Sequence, residues 1–358
     1  MTLILPKASF TSRELLAAWG RILVGRVPLL SIEITKECPL QCPGCYAYGD
    51  AHLGGDVPLR GLRDLQGNAL VEGVLRLVQK HKPMHVSLVG GEPLIRHREL
   101  SRILPALGEM GVFTLVVTSA VLPVPREWMK IPRLRVAVSV DGLPEDHDIR
   151  RKPATYQRIL QNIEGCEINV HWVITSAALK RPSYLEEYLA FWNDQPEVNR
   201  IWVSLYTPQV GEHSPEKLKP EDRHFLALKL PTLTARYPKL LMNRGIASTF
   251  IDPPKGPDDC LFAKMSANFS ADLSSQIEPC VFGGTPDCSQ CGCAISSGLH
   301  WVRTLEMAGP LKIDHFIRSS IEVGLMMNRF RSQSIRLPRW ARNEPTPNQK
   351  TKLVRIQS

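Results

Sequence analysis

The stretch Cys38-Pro39-Leu40-Gln41-Cys42-Pro43-Gly44-Cys45 brings three thiols within eight residues, directly after the strand-like run Leu30, Ser31, Ile32, Glu33, Ile34, Thr35. Three thiolates on so short a loop can hold three corners of an iron-sulfur cubane, which needs soft, deprotonated sulfur ligands. The fourth iron then stays open for a substrate. Pro39 and Pro43 each fix φ, and Gly44 lets the chain turn tightly enough for the sulfurs to converge. A zinc knuckle would bring a second thiol or histidine pair, whereas the nearest extra donor is His52, on a glycine-rich loop.

Working outward, six runs alternate with helical patterns: 30–35, 85–89, 113–118, 134–140, 167–175 and 200–206 read as strands. The connections imply parallel pairing with right-handed crossovers. Buried parallel strands normally read as continuous apolar runs, yet these alternate. Val136, Val138 and Val140 oppose Ala137, Ser139 and Asp141; Ile168, Val170 and Trp172 oppose Asn169 and His171; Ile201, Val203 and Leu205 oppose Trp202, Ser204 and Tyr206. One face therefore takes helices and the other is small and polar. The expected fold is α/β, a partial (β/α)6 open parallel barrel with a wet lumen and a small Cys-rich C-terminal satellite.

Two further motifs sit at strand ends. Gly90-Gly91-Glu92-Pro93 follows the second strand, and Ser139-Val140-Asp141-Gly142 closes the fourth, ahead of His147-Asp148-Ile149-Arg150-Arg151. With the CxxxCxxC loop, their order and spacing resemble the radical S-adenosylmethionine (radical SAM) superfamily, and the third segment resembles its SPASM/twitch branch. The resemblance covers residues 28–210 and implies a [4Fe-4S] cluster on Cys38, Cys42 and Cys45, with SAM bound by Gly90, Gly91, Glu92, Pro93, Ser139, Asp141 and Arg151. Glu92 would receive the methionyl ammonium of SAM. One departure is visible: the family usually has an aromatic before the third cysteine, where this chain has Gly44.

Cys260, Cys280, Cys288, Cys291 and Cys293 form a second group. The branch holds auxiliary clusters in a comparable segment, and five thiols fit one four-ligand cluster with one spare; a zinc ribbon is the alternative. The isolated Cys166 reads as a small buried apolar residue. The expected organisation is an N-terminal amphipathic helix in 1–27, with a capping box from Thr11 to Glu14, and the barrel in 28–210. A Pro-rich linker with one helix in 211–255, the satellite in 256–300 and a basic helix and tail in 301–358 follow.

Hydrophobic residues make up 43% and charged residues 22%, which excludes a disordered chain, and no uncharged run is long enough for a membrane span. The clustered cysteines point to metal sites in a reducing compartment, hence the cytoplasm. Net charge is +9, and residues 318–358 carry nine Arg/Lys against two Glu. That tail admits an anionic partner or a membrane surface, and in the helix before it Ile313, Phe316, Ile317, Ile321, Leu325 and Met326 recur at helical steps. Packing on the satellite is the favoured reading of that stripe.

The implied activity is reductive cleavage of SAM to a 5′-deoxyadenosyl radical that acts on a peptide or lipid, with a reductant such as flavodoxin or ferredoxin. A non-catalytic iron-sulfur or zinc protein binding an anionic partner such as nucleic acid is the competing class. The tail lacks the aromatic interleaving of a single-strand binder, Trp340 being its only Trp, which disfavours nucleic acid.

Overall fold

The structure, a computed structural model, describes residues 12–48, 64–153, 156–308 and 311–334. The helices are α1 (Ser12–Leu23), α2 (Gly67–His81), α3 (His97–Glu109), α4 (Pro144–Arg150), α5 (Tyr156–Asn162), α6 (Tyr184–Asp194), α7 (Pro220–Leu233), α8 (Arg244–Ser248), α9 (Leu261–Met265), α10 (Ala294–Thr304) and α11 (Ile313–Ser334). The strands are β1 (Leu29–Glu33), β2 (His85–Val89), β3 (Phe113–Thr118), β4 (Leu134–Ser139), β5 (Ile168–Ile174), β6 (Val198–Leu205), β7 (Ser266–Phe269) and the short pair β8 (Glu306–Ala308) and β9 (Leu311–Lys312). Thr11 and the loop carrying His52 lie outside the described residues.

One sheet runs β6-β5-β4-β3-β2-β1-β7, all parallel, and its two edge strands do not meet. The six expected strands occupy its first six places. The seventh comes from the cysteine-rich C-terminal region: β7 pairs with β1, Asn268 opposite Ser31, and flanks the strand that leads into the first cysteine loop.

The alternation in the sequence is the division between core and lumen. Ile32, Ile34, Val136, Val138, Val140, Ile168, Val170, Trp172, Ile201, Val203 and Leu205 all join the main hydrophobic cluster with the helices. Ser31, Glu33, Thr35, Ser139, Asp141, Asn169 and Ser204 are equally buried yet belong to no apolar cluster. Burying that many polar groups is tolerable only where they find partners. Cys166 is buried in the same core, its Sγ 3.5 Å from the Val124 carbonyl oxygen.

The C-terminal helix packs back on the start of the chain. Ile22, Leu261 and Ile321 form a small second core with Met265, Leu299 and Ile317, and Trp19 donates from Nε1 to Ser320 Oγ at 2.7 Å. Gly25 and Gly324 let α1 and α11 approach so closely that a Cβ on either would collide with the other's backbone or with Asn328. Part of the apolar stripe is thus satisfied internally, as expected. Leu325 and Met326 of that stripe stay exposed, together with Val323 and Met327.

Candidate active site at the carboxyl ends of the strands

The cysteine loop leaves β1 on a scaffold of local bonds. Asp64 receives both Lys36 N, at 2.8 Å, and the Thr35 hydroxyl, and Leu40 is buried as an apolar anchor. Gln41 N donates to the Lys152 carbonyl at 2.8 Å, tying the loop to the residue after Arg151. Cys45 N closes a turn onto the Cys42 carbonyl at 3.3 Å. Gly44 has φ +60°, and a Cβ there would run into the Tyr206 hydroxyl. Where the resembled family has an aromatic before the third cysteine this chain has Gly44, and Tyr206, just after β6, lies against it.

The motif after β2 is built into the backbone beside the cysteine loop. The missing side chains of Gly90 and Gly91 make room for the chain itself. A Cβ on Gly90 would strike the Thr35 carbonyl, and one on Gly91 the Glu37 carbonyl. Gly91 N donates to Thr35 O and Glu92 N to Glu37 O, each at 2.8 Å. The glycines thereby lock the approach to Cys38.

Glu92 is fully buried, and its carboxylate accepts from Leu94 N at 2.9 Å, Ser119 N at 2.8 Å, Thr118 Oγ1 at 2.5 Å and the Ser119 hydroxyl. A carboxylate has about four acceptor sites, so all of these are used by the protein. As folded, Glu92 caps the turn Pro93–Arg96 and ties the end of β2 to that of β3.

The segment after β4 forms a charge network. Arg151 Nε donates to Asp141 Oδ2 at 2.7 Å, and Arg150 bonds the same oxygen while its other nitrogens grip Glu216 at 2.7 and 3.1 Å. Burial alone would raise the Asp141 pKa, but the Arg151 and Arg150 guanidiniums outweigh it and hold the carboxyl ionised well below its ordinary range. Asp141 N bonds His147 Nδ1 at 3.2 Å. Burial, with Arg151 adding to it, pushes His147 down to about 4 and so keeps it neutral. His171, on the lumen face of β5, is also lowered to about 4 by burial and bonds Ser204 at 2.8 Å.

Asp141 is therefore an orienting group. Among the described residues, the two terminal nitrogens of Arg151 donate to no protein atom, nor does the Ser139 hydroxyl. Burial raises the Cys42 thiol, and the charge of Arg151 is the largest influence pulling it back. Arg151 thus presents an unspent fork near Cys42. Arg150 and Glu216 were missed from the sequence; Arg150 could have been found beside Arg151, but nothing marks Glu216 in a loop 66 residues away.

The second cysteine group also converges. Cys260, Cys280, Cys288, Cys291 and Cys293 all line one cavity with Phe262, Phe282 and Ser296. All nine cysteines are free thiols. Among the described residues no three His, Cys, Asp or Glu side chains close to single-ion distances; the thiols surround a space. Burial lifts Cys38 and Cys288 to about 11 and Cys293 to about 12. Left to themselves these sulfurs keep their protons at neutral pH, so the positive charge that would make them ligands has to arrive with a bound metal, and thiols suit iron or zinc.

The satellite is stitched to the barrel. Gly292, between Cys291 and Cys293, lies so close to Leu205 that a Cβ would collide with it, and Leu205 N donates to Gly292 O at 2.9 Å. Tyr46, the residue after Cys45, meets Phe282 of the cysteine cavity edge-on, ring centroids 5.6 Å apart. One aromatic pair stands between the two cysteine groups.

The sheet is thus an open parallel barrel with a three-cysteine loop beyond its first strand. The family model described as the radical SAM superfamily matches residues 32–173 of this chain. That family match implies SAM and a [4Fe-4S] cluster. Among solved structures it is similar in fold to native anSMEcpe with bound AdoMet, at 16% identity and TM-score 0.52, covering 85% of this chain and 98% of that one. It is likewise similar to Streptococcus suis SuiB bound to S-adenosylmethionine, at 17% identity and TM-score 0.51, covering 72% of this chain and 62% of that one. SuiB bound to its precursor peptide SuiA matches at 16% identity and TM-score 0.50, over 75% of this chain and 67% of that one. The chain thus spans about two thirds of the length of SuiB.

Proposed function

We propose that this enzyme cleaves SAM reductively at a [4Fe-4S] cluster held by Cys38, Cys42 and Cys45, and directs the 5′-deoxyadenosyl radical onto a peptide in the lumen. The cluster supplies the electron and the open coordination site. The chain's own residues bind and orient. The observation that carries this reading is the meeting, at one end of one sheet, of the cysteine loop with Ser139 and the unspent fork of Arg151. A guanidinium fork suits the carboxylate or ribose hydroxyls of SAM. Asp141 holds Arg151 in place, while Gly90, Gly91, Glu92 and Pro93 act through the backbone they fix. The ammonium of SAM is then left to backbone carbonyls at the barrel mouth.

In the same reading the five satellite thiols hold one auxiliary iron-sulfur cluster, with one spare, and a flavodoxin- or ferredoxin-like protein supplies electrons. A peptide substrate is supported by the shared fold with SuiB, which holds one in its structure. A lipid or membrane surface is a second reading, supported by the apolar residues left exposed on α11. The deciding experiment is anaerobic reconstitution with iron and sulfide, then addition of SAM and a reductant. Appearance of 5′-deoxyadenosine is expected; a fully iron-loaded protein that yields none refutes the proposal.

A further inference from the structure

Arg223 on α7 is 5% exposed, and its guanidinium donates only to backbone carbonyls: Phe250 O at 2.8 Å, Gln290 O at 3.0 Å and Cys291 O at 2.8 Å. Among the described residues no carboxylate lies within ion-pair distance of it. The nearby Asp287 spends its oxygens on the same turn, accepting from Ser289 Oγ at 2.5 Å and Gln290 Nε2 at 2.6 Å.

A buried cation satisfied by carbonyls alone is costly, because carbonyl dipoles replace only part of its hydration. Such a charge persists where a counter-charge stands close by. Asp287 offsets part of that charge from beyond ion-pair distance; what else stands close by is the turn carrying Cys288 and Cys291, both on the wall of the five-thiol cavity. Free thiols are neutral and give no compensation; an iron-sulfur cluster with four thiolate ligands is a net anion and becomes more negative on reduction.

We propose that Arg223 is the built-in counter-cation of the auxiliary cluster, clamping the Cys288–Cys291 turn through two carbonyls and favouring the reduced cluster by its charge. The proposal rests on the reading that the satellite thiols hold an iron-sulfur cluster. Its consequence is directional: a fixed positive charge beside the ligands raises the reduction potential and makes the satellite easier to reduce. Being buried, the charge is little screened by salt.

The test uses the full chain with Cys38, Cys42 and Cys45 replaced by Ala, so that only the satellite binds iron, and compares Arg223, Arg223→Lys and Arg223→Gln. Iron and sulfide per chain are measured first, then the midpoint potential by redox titration followed by electron paramagnetic resonance. Arg223→Gln is expected to move the potential to more negative values at both low and high salt, while Arg223→Lys, which keeps the charge, stays near the parent. Loss of iron in Arg223→Gln but not in Arg223→Lys also supports the charge role. Equal potentials in all three proteins overturn it, as does loss of iron in both variants, which leaves Arg223 a clamp only. Should Arg223→Gln fail to fold, Arg223→Lys decides alone: a lowered potential or lost cluster rejects the proposal. A parent that binds no iron, or binds zinc, removes the auxiliary-cluster reading instead.

Discussion

Ser119 donates both its backbone N–H and its hydroxyl to the carboxylate of Glu92. With Thr118 and Leu94 on the remaining lone pairs, a residue expected to face a ligand is wholly absorbed by the ends of two strands. Glu92→Ala would strand several buried donors, each costing about 1–3 kcal/mol. We expect the variant to lose about 3 kcal/mol of stability in denaturant unfolding with an unchanged slope, and weaker SAM binding only as a consequence. Full stability with reduced SAM affinity would restore Glu92 as a direct ligand.

Arg151 gives the complementary prediction. Arg151→Lys keeps the charge but loses the planar fork, so calorimetric affinity for SAM should fall by about tenfold or more, in line with a charge-assisted bond of about 1.5–3 kcal/mol. Unfolding should change less than for Glu92→Ala. Unaltered SAM binding would remove Arg151 from the site.

Gly44 and Tyr206 should be coupled. Gly44→Ala places a side chain at positive φ, at a cost of about 1–2 kcal/mol, and against the Tyr206 hydroxyl. Iron retained by the Cys38 loop, counted in a protein lacking the satellite cysteines, should drop. Because the obstructing atom is the hydroxyl, Tyr206→Phe should recover part of the loss; additive effects of the two substitutions would show that the residues do not meet in solution.

Buried neutral histidines set the acid limit. The folded pKa values of His147 and His171, about 4, lie below the unfolded value of about 6.5. Between these values the unfolded chain binds protons that the native one refuses. Stability should therefore be level above about pH 6.5 and fall on acidification toward pH 4, with a slope approaching about 1.4 kcal/mol per unit for each histidine. Asp141, whose folded pKa is depressed, adds a loss only below about pH 4. His171→Gln should make the slope between pH 6.5 and 4 shallower; an unchanged slope would mean that His171 is charged in the native protein.

The exposed apolar residues on α11 predict salt-sensitive recruitment to anionic vesicles if the basic tail engages lipid, at about 1 kcal/mol per basic side chain near the surface. Equal partitioning onto neutral and anionic vesicles at low salt would exclude it, leaving the peptide reading alone.

The strands and their two faces were legible because alternation is a local signal, and all eleven apolar residues of the alternating pattern named above face the helices. The three motifs were legible because each lies at a strand's carboxyl end. What could not be read is non-local. β7 is four residues long and its pairing with β1 depends on the intervening sheet. The motif spelled Gly90-Gly91-Glu92 gives no sign that its glycines accommodate Thr35 and Glu37. Arg223 likewise looks like an ordinary polar position of α7 until the cysteine turn is brought over it.

The bond from Ser270 to Glu33 spans 237 positions, and among the described residues β7 is the neighbour of β1 on that side. On a ribosome the strand leading into the first cysteines emerges early and waits, half-paired, until most of the chain has been made. Iron captured before that moment would be held by a loop whose supporting strand still has an open edge. Maturation of the centre should therefore follow the end of synthesis, and a chain stopped before residue 266 should be a poor recipient for iron although it contains Cys38, Cys42 and Cys45.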